Sequence, residues 1–477
     1  MKNYQQLYID GRWVNSAGNG HLDVVNPANG EICARVPSAN LQDVELAVGA
    51  AKKAFAAWSE NPSSTRAAII NEIADGMQSR KDDLTQAIVA SMGCPISVAA
   101  DLQVQGAIDA LRSFAPMAAE MDKQQEHTNH IVVSEAVGVC VLINPWNYPL
   151  SQLVGKLGPA LAAGCSIVVK PAEQTPLQDL ILAEIIDGTS LPAGVFNLLT
   201  GVGSEIGESL CSHALVDMVS FTGSTLAGIK VAQAAAPTVK RVCQELGGKS
   251  PYIITPDADL DAAVRYGVED VMLNSGQTCC ALTRMLVPAE KLAEVESIAK
   301  TVAAEWQIGD PMLAETNLGP LSSQLQQQRV LSYINTGIAE GAKLLCGGTQ
   351  VPEEFSKGAY VAPTIFSNVS NDMTIAQEEI FGPVLCIIPY QDIAHAIELA
   401  NDTPFGLSSA VYAENRAEAI KVASKLRAGQ CYLQGAYFNT DSPFGGYKQS
   451  GNGREWGLEG LKEYTETKAL LIDADAS

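Results

Sequence analysis

Apolar residues recur at three- and four-residue steps over residues 41–58, where Leu41, Val44, Val48, Ala51, Phe55 and Trp58 share one face. This spacing predicts an amphipathic helix. Ile69, Ile73 and Met77 carry the same pattern through a helix over about 64–80, and helical pattern continues over 82–92 and 97–120. From Val137 the texture changes. Short apolar runs at 137–143, 166–170, 195–199 and 217–221 alternate with helical stretches at 150–163, 176–187, 204–212 and 225–235. Strands that are apolar throughout belong to parallel sheets covered on both faces, so the alternation predicts a doubly wound α/β sheet.

A second alternating region follows. Its candidate strands are 252–255, 284–287, 384–389, 408–412 and 430–433, with helices at about 258–273, 289–305, 324–340, 392–400 and 415–427. The expected fold class is therefore α/β, with two doubly wound open-sheet domains. Residues 121–136 are polar with a β-prone end, Ile131-Val-Val133, and 463–473 is β-prone as well. No internal repeat, low-complexity linker or disordered block interrupts the pattern.

Composition narrows the function classes. A chain of 477 residues exceeds what one core organises, and its 47% hydrophobic content supports a large core without disulfides or metals. The net charge of −22 argues against nucleic acid and against anionic membranes as partners. The first residues lack an apolar signal-peptide region, and no apolar run reaches spanning length. The 11 cysteines lack disulfide-framework or CxxC spacing, which fits a reducing, cytoplasmic setting. The five histidines are dispersed without ligand spacing, so no metal site is expected.

Candidate chemistry sits at predicted strand ends, where α/β sheets bind ligands. In Asn274-Ser-Gly-Gln-Thr-Cys-Cys-Ala281, Cys279 is a candidate thiol nucleophile, and in Glu245-Leu-Gly-Gly-Lys249 the carboxylate is a candidate base. In Ile143-Asn-Pro-Trp-Asn-Tyr-Pro149, the Asn147 amide can donate to a developing oxyanion, although a proline-bounded turn accounts for the run equally well. Lys170 and Glu173 in Val168-Val-Lys-Pro-Ala-Glu173 can reach a nucleotide ribose; alone they read more readily as a surface ion pair. Gly223 and Ser224 in Phe221-Thr-Gly-Ser-Thr-Leu-Ala-Gly228 suit a pyrophosphate at a helix N-terminus. Gly201-Val-Gly203 is a weaker glycine turn. Gln377-Glu-Glu-Ile-Phe-Gly-Pro383 offers a carboxylate and an aromatic ring before a Gly-Pro break, and 442–455 is a glycine-rich loop ending in Arg454-Glu455.

Taken together, and in this order, these runs resemble the NAD(P)-dependent aldehyde dehydrogenase superfamily, from Leu7-Tyr-Ile-Asp-Gly-Arg-Trp13 to Tyr464-Thr-Glu-Thr-Lys468. The resemblance implies that Cys279 attacks an aldehyde as a thiolate, its ionisation promoted by a helix N-terminus or a nearby cation. Asn147 and the Cys279 amide would hold the oxyanion, Glu245 would activate the hydrolytic water, and Lys156 and Glu455 would assist proton movement. Trp146, Lys170, Glu173, Gly223 and Ser224 would hold the adenosine and pyrophosphate end of NAD. Leu246 would meet the nicotinamide, and Glu379 and Phe381 its ribose. Ile143, Asn147, Gly203, Phe221 and Gly247 complete the expected cofactor-binding set. Glu173 favours NAD by accepting from a 2′-hydroxyl, while Lys170 leaves NADP open.

The implied domains are a NAD-binding domain at 1–120 and 137–247, a catalytic domain at 248–450, and a small β oligomerisation element at 121–136 and 463–477. The implied assembly is a homodimer or homotetramer. Three departures from the commonest family pattern stand out. Gly155 replaces a frequent bulky aromatic and implies a wider substrate tunnel, Gln434 replaces an Asn, and Ala281-Leu-Thr-Arg284 replaces Ala-Gly-Ser-Arg. Irreversible hydrolytic oxidation of an aldehyde is the leading expectation. The alternatives are CoA acylation, against which Glu245 argues, and a non-catalytic NAD-binding relative.

Overall fold

The computed structural model describes residues 2–473. Met1 and residues 474–477, the end of the expected oligomerisation element, lie outside the described residues.

The apolar run Val139–Ile143 is buried along its whole length, as are Ser166–Lys170, Phe196–Leu198 and Met218–Thr222. With no polar face to turn to water, these strands pair side by side. Together with Arg241–Glu245 they form the parallel part of an 8-stranded sheet. The antiparallel strands Gln6–Ile9 and Arg12–Asn15 close one edge and Gly451–Asn452 closes the other. One apolar cluster, from Trp58 and Phe114 to Leu157 and Phe196, covers one face; a second, with Val44, Val48, Val141 and Leu210, covers the other. The amphipathic helix Leu41–Ser59 belongs to this coat. Asn40 begins it with a capping box, its side chain accepting from Gln42 and Asp43 amides while Asp43 accepts from the Asn40 amide.

The second region gives a 7-stranded sheet. Its order is Lys343–Cys346, Thr364–Ser367, Val384–Tyr390, Arg284–Pro288, Pro251–Ile254, Ser408–Tyr412 and Gln430–Leu433, with only the first pair antiparallel. It too is covered on both faces. The expected pair of doubly wound sheets is thus present. A separate 3-stranded sheet joins Thr465–Leu471, His130–Ala136 and Gln125–His127, so the two β-prone segments flagged in the sequence meet.

Several elements differ from expectation. The strands before residue 40 gave no apolar run because they alternate or lie at edges. Arg241–Glu245 went unread as a strand because its sequence, Arg-Val-Cys-Gln-Glu, is mostly polar. The helical pattern at 97–120 is broken into Ile96–Val98, a π-helical stretch Ala99–Gln105, and Gly106–Met117. Gly155 does not widen a tunnel. A Cβ there would lie 2.7 Å from the Trp456 ring, so the indole occupies the space that the missing side chain leaves. Gln434 has φ of 54° and bonds Ala413 through both amide atoms, at 2.7 and 2.8 Å, which makes it a structural pin for that loop.

Candidate active site

The parallel register lines the candidate residues up. Ile143 lies opposite Lys170 on one side and Phe221 on the other, and Thr222 lies opposite Glu245. These residues end four adjacent strands on one edge, so the loops after them, 144–148, 171–176, 223–224 and 246–250, open at the same rim. Topology alone thus gathers motifs spread over a hundred residues of sequence.

The nucleophile candidate comes from the other sheet. Helix Leu260–Met272 ends in a turn where Asn274, Ser275 and Gly276 all have positive φ, at 53°, 57° and 73°. Asn and Gly tolerate this region; Ser does so at a cost. Side-chain bonds hold the strained turn. Asn274 Nδ2 donates to the Asn147 carbonyl at 3.0 Å, and Ser275 Oγ donates to the Gly319 carbonyl at 2.8 Å. A Cβ at Gly276 would sit 2.0 Å from the Gly382 carbonyl oxygen, so only glycine allows this approach. Asn147 Nδ2 in turn donates to the Gln277 carbonyl at 2.8 Å. An amide NH2 carries two protons, so this bond fixes the group and leaves the other proton for the cavity. The Cys279 amide makes no hydrogen bond among the described residues. A Cβ at Gly248 would lie 2.5 Å from the Cys279 carbonyl oxygen, which places the cysteine directly on the Leu246-Gly-Gly turn.

A cavity of about 150 Å³ collects Trp146, Asn147, Gly223, Ser224, Leu246, Gly247, Cys279, Glu379 and Phe381. Phe381 meets Trp146 edge-on, with ring centroids 5.3 Å apart, and reaches it through a backbone φ of 63°. Glu379 accepts from the Gly248 amide at 3.0 Å, and a Cβ at Gly247 would collide with its carboxylate. Ser224 differs from expectation: its Oγ accepts from the Ala227 amide at 3.3 Å, so it caps helix Thr225–Ala235 as well as lining the cavity. Lys170, Glu173 and Gly203 form a neighbouring cluster. Lys170 is buried, donates to the Pro171 carbonyl at 2.8 Å and lies 3.6 Å from Glu173, which also accepts from the Gly203 amide. The surface-pair reading of Lys170 is thereby removed. Ile143 and Phe221 lie under the rim as strand ends.

Glu245, Lys156 and Glu455 make a third group. They are 2%, 0% and 1% exposed and do not line the cavity. Lys156 Nζ lies 2.8 Å from Glu455 Oε1, off the hydrogen-bond axis, and donates to Thr222 Oγ1 at 2.6 Å and to the Gln152 carbonyl at 3.3 Å. Neither Glu245 oxygen has a hydrogen-bond partner among the described residues, and Oε1 abuts Gly445. Burial first, then the neighbouring Glu455, pushes the Glu245 carboxyl well above the usual range; Lys156 and Arg454 oppose the shift. An unpartnered buried acceptor costs about 1–3 kcal/mol and is uncommon.

The thiol contradicts one expectation. Its pKa is held well above the ordinary value, by a hydrogen bond with the Cys280 thiol, by burial, and by the negative potential of Cys280, Glu379 and Glu245. No cation appears among these causes, so the resting sulfur is neutral. Sequence reasoning also missed Thr222, which receives the Lys156 proton donor, and Arg329, which lines the cavity and donates to the Glu379 carbonyl at 2.9 Å. Thr222 stood inside a quoted motif, one residue past the expected strand 217–221, and was given no role. Arg329 lies on helix Gln324–Ala339, whose pattern showed only an amphipathic surface.

A thiol, an amide donor and glycine turns line one cleft, with a recessed carboxylate buried behind it, at the rim of an α/β sheet. A profile of the aldehyde dehydrogenase family matches residues 13–470. The chain is 47% identical over 472 residues to a 3-succinoylsemialdehyde-pyridine dehydrogenase of a Pseudomonas species, covering 99% of each chain. It superposes with a TM-score of 0.97 on aldehyde dehydrogenase C of Pseudomonas syringae, solved as a cysteine-to-alanine variant with NAD+ and octanal; identity is 47%, and coverage is 99% of this chain and 98% of that one. An aldehyde dehydrogenase of Bartonella henselae gives a TM-score of 0.97 at 38% identity, covering 99% of this chain and all of that one. The chain belongs to the aldehyde dehydrogenase family.

Proposed function

We propose that this enzyme oxidises an aldehyde to a carboxylic acid, hydrolytically and with NAD, through a thioester on Cys279. The observation that carries this reading is that Cys279 and Asn147 line one cavity together with the glycine turns at 223 and 247. The cavity suits part of a dinucleotide: Gly223 and Gly247, where a Cβ would meet Phe221 and Glu379, present bare backbone to it, and helix Thr225–Ala235 begins beside it at Ser224. Trp146, Ser224, Lys170 and Glu173 would hold the adenosine and pyrophosphate end, and Leu246, Glu379 and Phe381 the nicotinamide riboside. When bound, NAD supplies the hydride acceptor. The NAD+ complex of the Pseudomonas syringae enzyme supports this choice of cofactor.

Cys279 loses its proton and attacks the carbonyl carbon. Asn147 Nδ2 and the Cys279 amide donate to the oxyanion as charge develops. Deprotonation must overcome the resting bond to Cys280, so it is coupled to substrate and cofactor binding. After oxidation, Glu245 takes a proton from the water that attacks the thioester. Its raised pKa suits a group that must accept a proton near neutrality. Lys156, Thr222 and Glu455 give that proton a buried route onward. The sheet made by His130–Ala136 and Thr465–Leu471, with Leu471 85% exposed, serves as the oligomerisation element of a homodimer or homotetramer. The domain division proposed is NAD-binding at 1–120 and 137–247 and catalytic at 248–450. A reducing, cytoplasmic setting agrees with all eleven cysteines being free. Among the described residues no helix is long and apolar enough to cross a membrane.

The test is absorbance of NADH with an aldehyde panel, run with NAD and NADP and with or without CoA. Production of free acid with NAD, abolished in Cys279→Ala, is expected. CoA-dependent acyl-CoA formation would select the acylating alternative, and silence with every aldehyde the non-catalytic one.

A further inference from the structure

Two cations, Arg284 and Lys249, lie buried behind the Leu246-Gly-Gly turn, and neither has a carboxylate as hydrogen-bond partner among the described residues. Arg284 is 0% exposed, and every acceptor it meets is neutral: the carbonyls of Lys249, Leu399 and Ala400 at 3.0, 2.8 and 2.9 Å, and the Asn371 amide oxygen at 2.9 Å. A guanidinium keeps its proton, so this charge is permanent. Lys249 is 2% exposed, and its Nζ has no hydrogen-bond partner among the described residues. Glu379 acts on Lys249, and Asp402 on Arg284, only through space. Buried charge without a close counter-charge is costly.

Two hydroxyls join them. Tyr252 pairs with Ala410 across the parallel strands Pro251–Ile254 and Ser408–Tyr412, so two residues back Ser250 stands beside Ser408 on the same face. Both serines are buried, and neither Oγ has a hydrogen-bond partner among the described residues. Lys249, Ser250 and Ser408 line one cavity of about 10 Å³, room for a single water-sized body. Arg427, which is exposed, lines it too, and no carboxylate does. An ammonium and two hydroxyls can donate together to one acceptor. A metal cation would be repelled by Lys249 and Arg284, and phosphate or sulfate exceeds the volume.

We propose that this cavity binds one single-atom monovalent anion, of the chloride class, held by Lys249, Ser250 and Ser408. The site adjoins the turn that faces the cofactor cavity. Gly406 lines it and donates its amide to Ser450 Oγ at 2.9 Å, and Ser450 donates to the Gly247 carbonyl at 2.7 Å. The anion thus neutralises the buried cations and braces the Leu246-Gly-Gly turn from behind.

The experiment uses the whole protein with bromide and chloride as probes. Crystals grown in sodium bromide and measured at the bromine absorption edge should show an anomalous peak in contact with Lys249 Nζ, between Ser250 and Ser408. In solution, sodium chloride at about 0.1 M should raise the melting temperature by about 2 °C or more over sodium gluconate of equal ionic strength, whose anion is too large to enter. Lys249→Met should abolish that difference, and Ser408→Ala should raise the half-saturating chloride concentration about tenfold. No peak beside Lys249 overturns the proposal. A peak without stabilisation over gluconate, which marks an adventitious ion only, overturns it as well, and so does a stabilisation that survives in Lys249→Met. If that variant does not fold, Ser408→Ala and the wild-type peak decide the matter.

Discussion

The nucleophile turn and the carboxylate cluster keep their reactive groups poised by opposite means. At 274–276 three successive residues hold left-handed backbone, yet the Asn274 and Ser275 side chains are hydrogen-bonded. At Glu245 the backbone is an ordinary paired strand end, while the carboxylate has no hydrogen-bond partner among the described residues. One region stores conformational strain and satisfies its polar groups; the other relaxes its backbone and leaves a charge frustrated. Strain suits a sulfur whose position must be fixed against a cleft from another sheet. Frustration suits a base whose proton affinity must be raised.

Removing each device should separate the two. Cys279→Ala should lower dehydrogenase turnover by roughly 10⁴-fold or more, measured as NADH formation, while NAD still binds by fluorescence titration. Lys156→Met should destabilise the fold by about 3–5 kcal/mol in denaturant unfolding, because it removes one partner of a buried pair; a smaller loss would mean that the pair contributes little to stability. Asn274→Ala should cost about 1–2 kcal/mol, since alanine resists positive φ and breaks the bond to Asn147. A fall in kcat at unchanged NAD affinity would place that cost at the nucleophile.

The Glu245 prediction concerns pH. Its folded pKa is raised, so the protonated native state is favoured near and below the unfolded value of 4.5, and stability is lost as pH rises above it. Glu245→Gln removes that loss. The melting temperature of the variant should therefore exceed wild type by about 2 °C at pH 8 and converge with it near pH 4. Deacylation in wild type should instead rise with pH as the same carboxyl ionises.

Much of this was legible before any coordinates. Fully apolar strands such as 139–143 and 166–170 announce themselves, and their carboxyl ends pointed to the rim where Asn147 and Lys170 stand. What escaped was set by tertiary context. Arg241–Glu245 is mostly polar, and its pairing comes from the neighbouring strand. Gly155 suggested open space, but Trp456, three hundred residues away, fills it. The neutral resting state of Cys279 depends on Cys280, on burial, and on the carboxylates of two separate segments, Glu379 and Glu245. Local sequence carries no measure of such distances.

The central claim is a covalent intermediate on Cys279 released by Glu245. Intact-protein mass spectrometry of Glu245→Gln, quenched after mixing with NAD and an aldehyde, tests it most directly. The predicted result is a persistent increase equal to the acyl group, mapped to Cys279 and absent from Cys279→Ala. Turnover at the wild-type rate with unmodified protein would contradict it.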